Sequence, residues 1–143
     1  MDIEIDDICL NKVAIIERCL NRVFEEYKFD PELQNWTHID ALILNLERAC
    51  QAAIDLAMHI VSRNHLGLPQ NSVQAFELLQ RSQNLSAETA RSLAAMVGFR
   101  NITMHEYRSL DLKIVKSIVE KDWKVFVSFA QELGLKIKVR SVF

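Results

Sequence analysis

Apolar residues recur at helical spacing along nearly the whole chain. In the first segment, apolar positions from Ile8 to Tyr27 step by three, four and five, which is typical of one face of a long amphipathic helix. We expect that helix to end before Asp30-Pro31, because the residue before a proline avoids the α conformation. The stripe that predicts this first helix is Ile8, Val13, Ile16, Leu20, Val23, Phe24 and Tyr27.

A loop over 30–36 is predicted to lead into a second long helix. Thr37 is the predicted N-cap, with Asp40 three places on in a capping-box-like arrangement. Gly67 should end this helix, and Pro69 prevents it from continuing. Several positions on its apolar stripe are small, which would let a neighbouring helix approach closely. They are Ala49, Ala52, Ala53 and Ala57.

Three shorter helices complete the predicted pattern. Asn71, with a glutamine three places later, forms a capping box that opens a third helix through about Arg81. Ser86 is the predicted cap of the fourth helix and Asp111 that of the fifth, which Gly134 should end. The core face predicted for the fifth helix is Ile114, Val115, Ile118, Val119, Phe126 and Phe129.

The last nine residues, LKIKVRSVF, alternate apolar and basic side chains, as an edge strand does. They have no obvious partner strand, so we interpret them as an ordered or half-ordered tail. The pattern as a whole predicts an all-α fold, an up-and-down bundle of four or five helices with short connections. Without a linker or repeat, residues 1–143 should form a single domain.

The composition agrees with a helical globular protein. Half of the 143 residues are hydrophobic, and three glycines and two prolines are too few for a low-complexity or turn-rich chain. No apolar run is long enough for a membrane span, and the acidic N-terminus lacks the basic start of a signal peptide. We therefore expect a cytoplasmic protein whose three cysteines, Cys9, Cys19 and Cys50, are buried free thiols.

Charge is distributed unevenly along the sequence. The net charge of −2 argues against a nucleic-acid partner, but residues 1–35 carry −5, residues 36–85 carry −1 and residues 86–143 carry +4. Such a split marks an anionic partner or, more simply, helical surfaces of opposite sign that neutralise each other.

Motifs for metal or nucleotide chemistry are absent from the sequence. It contains neither a Walker-type loop nor a Rossmann fingerprint. Asp55 and His59 have the i, i+4 spacing of two metal ligands, but no third ligand accompanies them, which favours a hydrogen-bonded structural pair. His38 and His65 lie near predicted helix ends, where we interpret them as caps or solvated residues.

The segment from Gly98 to Tyr107 concentrates groups that suit one chemical task. Arg100 carries a planar guanidinium suited to phosphate oxygens, and the imidazole of His105 titrates near neutral pH. On a continuous helix Tyr107 would share the face of Arg100, and Asn101 would lie one turn below His105. Gly98, costly inside a helix, would suit the close approach of a backbone or ligand.

The spacing of the two charged groups keeps a plainer interpretation of this segment open. Arg100 and His105 are five residues apart, or about 140° on an ideal helix, so a second copy of the chain or a loosened helix must help them converge. The alternative is a solvated charged face in which His105 serves as a C-terminal cap.

The order Arg100, four residues, His105, one residue, Tyr107 resembles the signature of HEPN-domain toxins. The closest subgroup is the HepT-like toxins of MNT–HEPN toxin–antitoxin modules. Met96-Val-Gly-Phe before the motif, Leu-x-Leu-x-Ile-Val after it and the segment LILNLERACQAAIDLAMHI also match, so the resemblance spans about 38–119.

The resemblance implies a homodimeric endoribonuclease that needs no metal or other cofactor. Arg100 and His105 would be its catalytic residues at the dimer cleft, with Asn101 supporting His105 or the phosphate. The implied partner is a minimal nucleotidyltransferase antitoxin, which would adenylylate Tyr107 with ATP. Bulk and negative charge at that position would then block the RNA phosphate.

Two other functions remain open at this point. One is a non-catalytic helical protein that dimerises and docks a nucleotidyltransferase, and the other is a helical nucleotide-binding module. The Arg100–His105 pair favours the ribonuclease, since a binding protein has no need of both groups. Nothing in the sequence reads bases, so the identity of the RNA stays open.

Overall fold

The computed structural model describes residues 3–140, and their regular structure is entirely helical. This confirms the predicted all-α fold. Six α-helices are joined by short connections, with a 3-10 helix over Tyr107–Ser109 and a π-helix over Ile118–Asp122. The α-helices are α1 (Asp7–Phe29), α2 (Trp36–Arg63), α3 (Ser72–Arg81), α4 (Ala87–His105), α5 (Leu112–Ser117) and α6 (Lys124–Glu132).

Side-chain caps fix where most of the helices begin. Asn71, Ser86 and Asp111 each accept a hydrogen bond from a backbone N–H in the first turn that follows, as predicted. The predicted cap of α2 is wrong. Asn35 is the N-cap, and its Oδ1 accepts the N–H of Thr37 at 2.9 Å, because its extended backbone comes one residue before the helix begins.

The second helix also stops earlier than predicted. It ends at Arg63 rather than near Gly67, and the chain turns at His65, which has a φ of 53°. Gly67 lies in the following turn with a φ of 142°, and a Cβ there would come within 2.8 Å of Leu78. The glycine therefore serves the turn into α3 and not the helix end.

The predicted fifth helix is interrupted by a π turn. The N–H of Trp123 donates to the carbonyl oxygen of Ile118 at 2.9 Å, an i to i−5 bond that accommodates one extra residue. This shifts the helical register between α5 and α6. Ile114, predicted for the core face, is 48% exposed, whereas Phe126 and Phe129 are buried as predicted.

The core lies mainly between α1 and α2 and extends under α3, α4 and α6. Two edge-to-face ring contacts join the helices. Phe24 of α1 contacts Trp123, which precedes α6, with 5.0 Å between the ring centroids. Phe76 of α3 contacts Phe129 of α6 at 5.8 Å. Ile8, predicted for the α1 stripe, is 49% exposed, because the buried face at that turn is provided by Cys9.

The C-terminal tail runs beside α1. Residues 135–140 form no strand, and the backbone N–H groups of Lys138 and Arg140 donate to Glu17 and Asn21 of α1. This agrees with an ordered tail and not an edge strand over that stretch, and residues 141–143 of the predicted tail lie outside the described residues.

The three cysteines are free and buried, as predicted. In the part of the chain that the structure describes, no helix is long and apolar enough to cross a membrane.

Candidate active site

Arg100 and His105 lie in the last two turns of α4. Arg100 is half-buried, and His105 is exposed as the last residue of the helix. The helix ends because Glu106 leaves the helical conformation, with φ −137° and ψ 46°, while its N–H still donates to the carbonyl oxygen of Ile102. The imidazole therefore projects from a helix end, where neighbouring backbone leaves it accessible.

Among residues 3–140, no ion pair involves either Arg100 or His105. Arg100 makes one long contact, 3.5 Å from Nη1 to Oδ1 of Asn101. A guanidinium without a carboxylate partner remains available to an anionic ligand.

Asn101 is exposed and lies one turn before His105 on α4. The hydrogen bond described for its side chain is the one from Arg100, so support of His105 by Asn101 stays a prediction. Asn101 also lines a shallow groove of about 330 Å³ against the first turn of α3.

Tyr107 does not continue the face of Arg100, as a continuous helix would have required. It begins the 3-10 helix after α4 ends, and its hydroxyl donates a hydrogen bond to the carboxylate of Asp40 on α2. Its ring lies 6.4 Å from that of Trp36, which is 53% exposed. The contact with Asp40 draws Tyr107 toward α2 and helps explain why the helix stops short of it.

The surroundings of Tyr107 disfavour its phenolate form. Burial, the hydrogen bond to Asp40 and the nearby charge of Glu47 raise the pKa of the tyrosine. The hydroxyl is therefore protonated at neutral pH and acts as a donor.

A buried thiol lies where α2 meets α4 near Arg100. Cys50 donates weakly from Sγ to the carbonyl oxygen of Met96, at 3.8 Å. Burial raises the pKa of Cys50 to about 12, and the charge of Arg100 partly opposes that rise. The thiol is neutral at physiological pH, which indicates a packing role.

Gly98 is exposed, and a Cβ placed on it would meet no atom within 4 Å. Nothing within the described chain therefore requires a glycine at this position. A close approach at Gly98 would have to come from another molecule.

The predicted pairing of Asp55 with His59 is wrong. His59 Nε2 lies 2.7 Å from Asp6 Oδ2, at the N-terminus of α1. Asp55 instead accepts a hydrogen bond from Gln51 and lies 3.7 Å from the ammonium of Lys12. Sequence spacing could not reveal this, because Asp6 and His59 are 53 residues apart.

Asp6, Cys9 and His59 bring a carboxylate, a thiol and a ring nitrogen within 4.8 Å of one another, a group that could hold a metal ion. The carboxylate also caps α1, accepting the N–H of Cys9 at 3.0 Å. The backbone hydrogen bond and the His59 contact lower the pKa of Asp6, whereas burial raises that of the Cys9 thiol. A neutral buried thiol is a poor ligand, which favours a structural cap.

His38 is neither a helix cap nor fully solvated. Its Nδ1 lies 2.6 Å from Glu26 Oε2, and its ring stacks on that of Phe29 at 5.7 Å. His38 therefore joins the first turn of α2 to Glu26 of α1, and His59 joins the last turns of α2 to Asp6, the N-cap of α1.

Sequence reasoning missed Asp40 and Trp36 as neighbours of Tyr107. Asp40 had been assigned to a capping arrangement that the structure does not contain. The sequence did contain one signal, because Trp36 is a large aromatic residue among polar ones at the start of α2. A residue of this kind outside the predicted core stripe is expected to be exposed.

An all-helical bundle with the Arg-x4-His-x-Tyr motif at the end of one helix is a HEPN-type protein. Comparison with known families narrows this class. The ribonuclease HepT-like family matches residues 11–133, and the chain belongs to that family.

Two curated relatives are similar over much of the chain. The mRNA nuclease HepT of Shewanella oneidensis is 39% identical over 125 residues, covering 87% of this chain and 94% of that protein. The tRNA nuclease HepT of Aphanizomenon flos-aquae is 31% identical over 102 residues, covering 70% of this chain and 69% of that protein.

Solved structures show the same architecture. The tri-AMPylated Shewanella oneidensis HEPN toxin in complex with MNT antitoxin superposes with a TM-score of 0.86 at 37% identity, over 91% of this chain and 98% of that one. A toxin–antitoxin structure with AMP-PNP gives a TM-score of 0.85 at 37% identity, over 90% of this chain and 99% of that one.

Proposed function

We propose that this chain is the toxin of a toxin–antitoxin pair and cleaves RNA without a metal ion, using Arg100 and His105. The observation that carries the proposal is the presence of both groups at the exposed end of α4, where no carboxylate of residues 3–140 is paired to either. Its support from outside the chain is the nuclease activity in the names of both HepT relatives.

The chemistry uses the 2′-hydroxyl of RNA as the internal nucleophile. The O2′–P bond forms as the P–O5′ bond breaks, giving a 2′,3′-cyclic phosphate and a free 5′-hydroxyl. His105 removes the 2′-hydroxyl proton or protonates the leaving oxygen, a role typically worth about 10²–10⁴-fold in rate. Arg100 stabilises the charge that builds on the phosphoryl oxygens.

A homodimer would complete the site by placing two α4 ends on either side of a cleft. Two positions near the motif support an interface, since Gly98 and Ile102 lie one turn apart on the same face of α4 and both are exposed. Exposed apolar side chains beside a catalytic motif favour coverage by a second copy.

The experiment that tests the activity is digestion of total RNA by the full-length protein in excess EDTA. Wild type should cleave, and His105→Ala should lose at least a hundredfold in rate. His65→Asn is the matched control, because His65 is also exposed and asparagine tolerates its positive φ. Loss of wild-type cleavage in EDTA contradicts the metal-free mechanism, and full activity of His105→Ala contradicts the site and favours a docking module.

Tyr107 is the proposed site of control by a nucleotidyltransferase antitoxin. Its oxygen Oη would attack the α-phosphorus of ATP, forming an Oη–P bond as the Pα–O bond to pyrophosphate breaks, with release of pyrophosphate and of the hydroxyl proton. The modified oxygen can no longer donate to Asp40, and its phosphate would be repelled by that carboxylate. The segment after His105 would therefore leave α2 and carry a negative charge near the RNA site.

The sequence contains two tyrosines, so a matched control for this proposal is available. Tyr27 also donates to a carboxylate, that of Glu120 at 2.7 Å, but it is almost fully buried. After incubation with the antitoxin and ATP, intact mass spectrometry should show AMP on wild type and on Tyr27→Phe. An AMP adduct on Tyr107→Phe would contradict the assignment.

We also place the protein in the cytoplasm, as one domain spanning 1–143. Three buried free thiols fit a reducing compartment.

A further inference from the structure

A groove of about 650 Å³ between α1 and α2 has a basic lining that the function proposed above does not use. Three of its cations project from α1 and one from α2, with a single carboxylate, Asp55, at one end. Apolar and small side chains such as Ile15, Leu44 and Ala52 form part of the lining. The cations of this basic groove are Lys12, Arg18, Arg22 and Arg48.

The clustering runs against the overall charge of this part of the chain. Residues 1–35 carry a net −5, yet residues 1–62 contain only five bases, and four of them line this groove. Lys12 and Arg22 are ten residues apart, or about 15 Å along α1. The cations therefore span a length greater than that of one phosphate group.

Two of the four cations have no carboxylate partner. Lys12 lies 3.7 Å from Asp55, and Arg22 pairs with two glutamates of α1. Arg18 and Arg48 are exposed and take part in no ion pair within residues 3–140. One guanidinium group from each helix, without an ion-pair partner among the described residues, therefore lines the groove, and such groups suit phosphate oxygens.

The basic groove begins next to the anchor of Tyr107. Asp40 accepts the tyrosine hydroxyl, and Ala41, the next residue of α2, lines the groove. One turn before Asp40 on the same helix, Trp36 presents an exposed ring beside Tyr107. A strand leaving the candidate active site at Tyr107 would thus meet an aromatic ring and then the row of cations, which is the combination that single-stranded nucleic acid binds.

We propose that the basic groove binds the sugar–phosphate backbone of an extended RNA strand, at phosphates beyond the one that is cleaved. The inference rests on the proposed ribonuclease function and adds a second contact region to it. The groove holds the substrate and takes no part in bond breaking. Its contribution should therefore appear only with RNA long enough to reach from Arg100 to Arg18.

The test compares two charge-reversed proteins on two substrates. Arg18→Glu/Arg48→Glu alters the groove, and Arg81→Glu/Arg91→Glu makes the same charge change at exposed positions on α3 and α4. The substrates are a long single-stranded RNA and a dinucleotide with one 2′-hydroxyl. We expect the groove variant to lose at least tenfold in kcat/KM on the long RNA at low salt and to match wild type on the dinucleotide.

Binding supplies a readout that does not depend on cleavage. In a His105→Ala background, the groove substitutions should reduce the slope of log affinity against log salt by roughly two, one for each lost phosphate contact. Arg18→Gln/Arg48→Gln should give a smaller effect of the same sign, and circular dichroism checks the fold of every variant.

The other outcomes separate the two proposals. Equal losses in the groove and control variants overturn the groove assignment, as does a groove variant that cleaves normally but no longer binds the antitoxin. If wild type cleaves neither substrate, the ribonuclease proposal fails. The salt slope of RNA binding then still decides whether the groove binds RNA.

Discussion

The two histidines that lie between α1 and α2 and the two candidate catalytic residues at the end of α4 have opposite surroundings. Along α1 and α2, His38 and His59 each lie within 2.7 Å of a carboxylate on or beside the other helix. At the end of α4, His105 and Arg100 have no such partner among the described residues. Histidine thus joins two helices in one region and remains available to a ligand in the other.

The difference shows how to distinguish structural from functional polar groups in a helical bundle. A histidine bound to a carboxylate joins two helices, and its ring is already committed. An imidazole at a helix end with no ion-pair partner among the described residues remains available to a ligand. Substitutions at His38 and His59 should change stability and leave chemistry intact, and substitutions at Arg100 and His105 should do the reverse.

The largest effect is expected in the core of the first region. Phe24 is 1% exposed and packs edge-to-face on Trp123, so Phe24→Ala should lower the free energy of unfolding by about 3–5 kcal/mol. Urea denaturation measures this loss. Phe29→Ala, in the same helix at a position 73% exposed, should cost a small fraction of it. Similar losses for both would remove the contrast between buried and exposed faces of α1.

A somewhat smaller effect is expected at Arg100, and on activity alone. Arg100→Ala should reduce kcat for RNA cleavage by about 10²–10³-fold, because charge on the phosphoryl oxygens loses its stabilising partner. The melting temperature should stay within a degree or two of wild type, since no ion pair is lost. Arg91→Ala provides the control for loss of one exposed arginine. An Arg100 variant that unfolds instead would show that Arg100 stabilises the fold, which would contradict a role in activity alone.

The smallest effect is expected at Gly98, where one substitution should change both the stability of the isolated chain and its association into a homodimer. Gly98→Ala should stabilise the isolated chain by about 1 kcal/mol, because helix propensity improves and the added methyl meets no atom within 4 Å. In the proposed homodimer it should weaken association, which analytical ultracentrifugation measures. Ser92→Ala, also exposed on α4, is the control. An unchanged dimer affinity would place Gly98 outside the interface.

Local patterns in the sequence predicted most of the fold. Asn71, Ser86 and Asp111 begin their helices as predicted, because a cap is a contact between residues two or three apart. Thr37 failed because Asn35 competes for the same role, and propensity does not separate two good caps so close together. Ile8 and Ile114 show that a stripe predicts which face is buried but not where along the helix burial begins.

The candidate site was predicted in its residues but not in its arrangement. Arg100, His105 and Tyr107 follow from the motif, yet α4 ends between the last two, so the arithmetic of a continuous helix does not apply to Tyr107. The contacts of Tyr107 with Asp40 and of His59 with Asp6 span 67 and 53 residues. Periodicity carries no information on such pairs, because they depend on how the helices are placed against one another.

The π turn at Ile118–Asp122 makes the length of the chain there as important as its composition. The extra residue in this turn sets the rotation of α6, which presents Phe126 and Phe129 to the core. If these residues wound in ordinary α geometry with none removed, everything after the turn would rotate by about 100°. Both phenylalanines would then point away from their neighbours. Deleting one residue as the turn returns to α geometry should therefore be tolerated better than inserting a second extra residue.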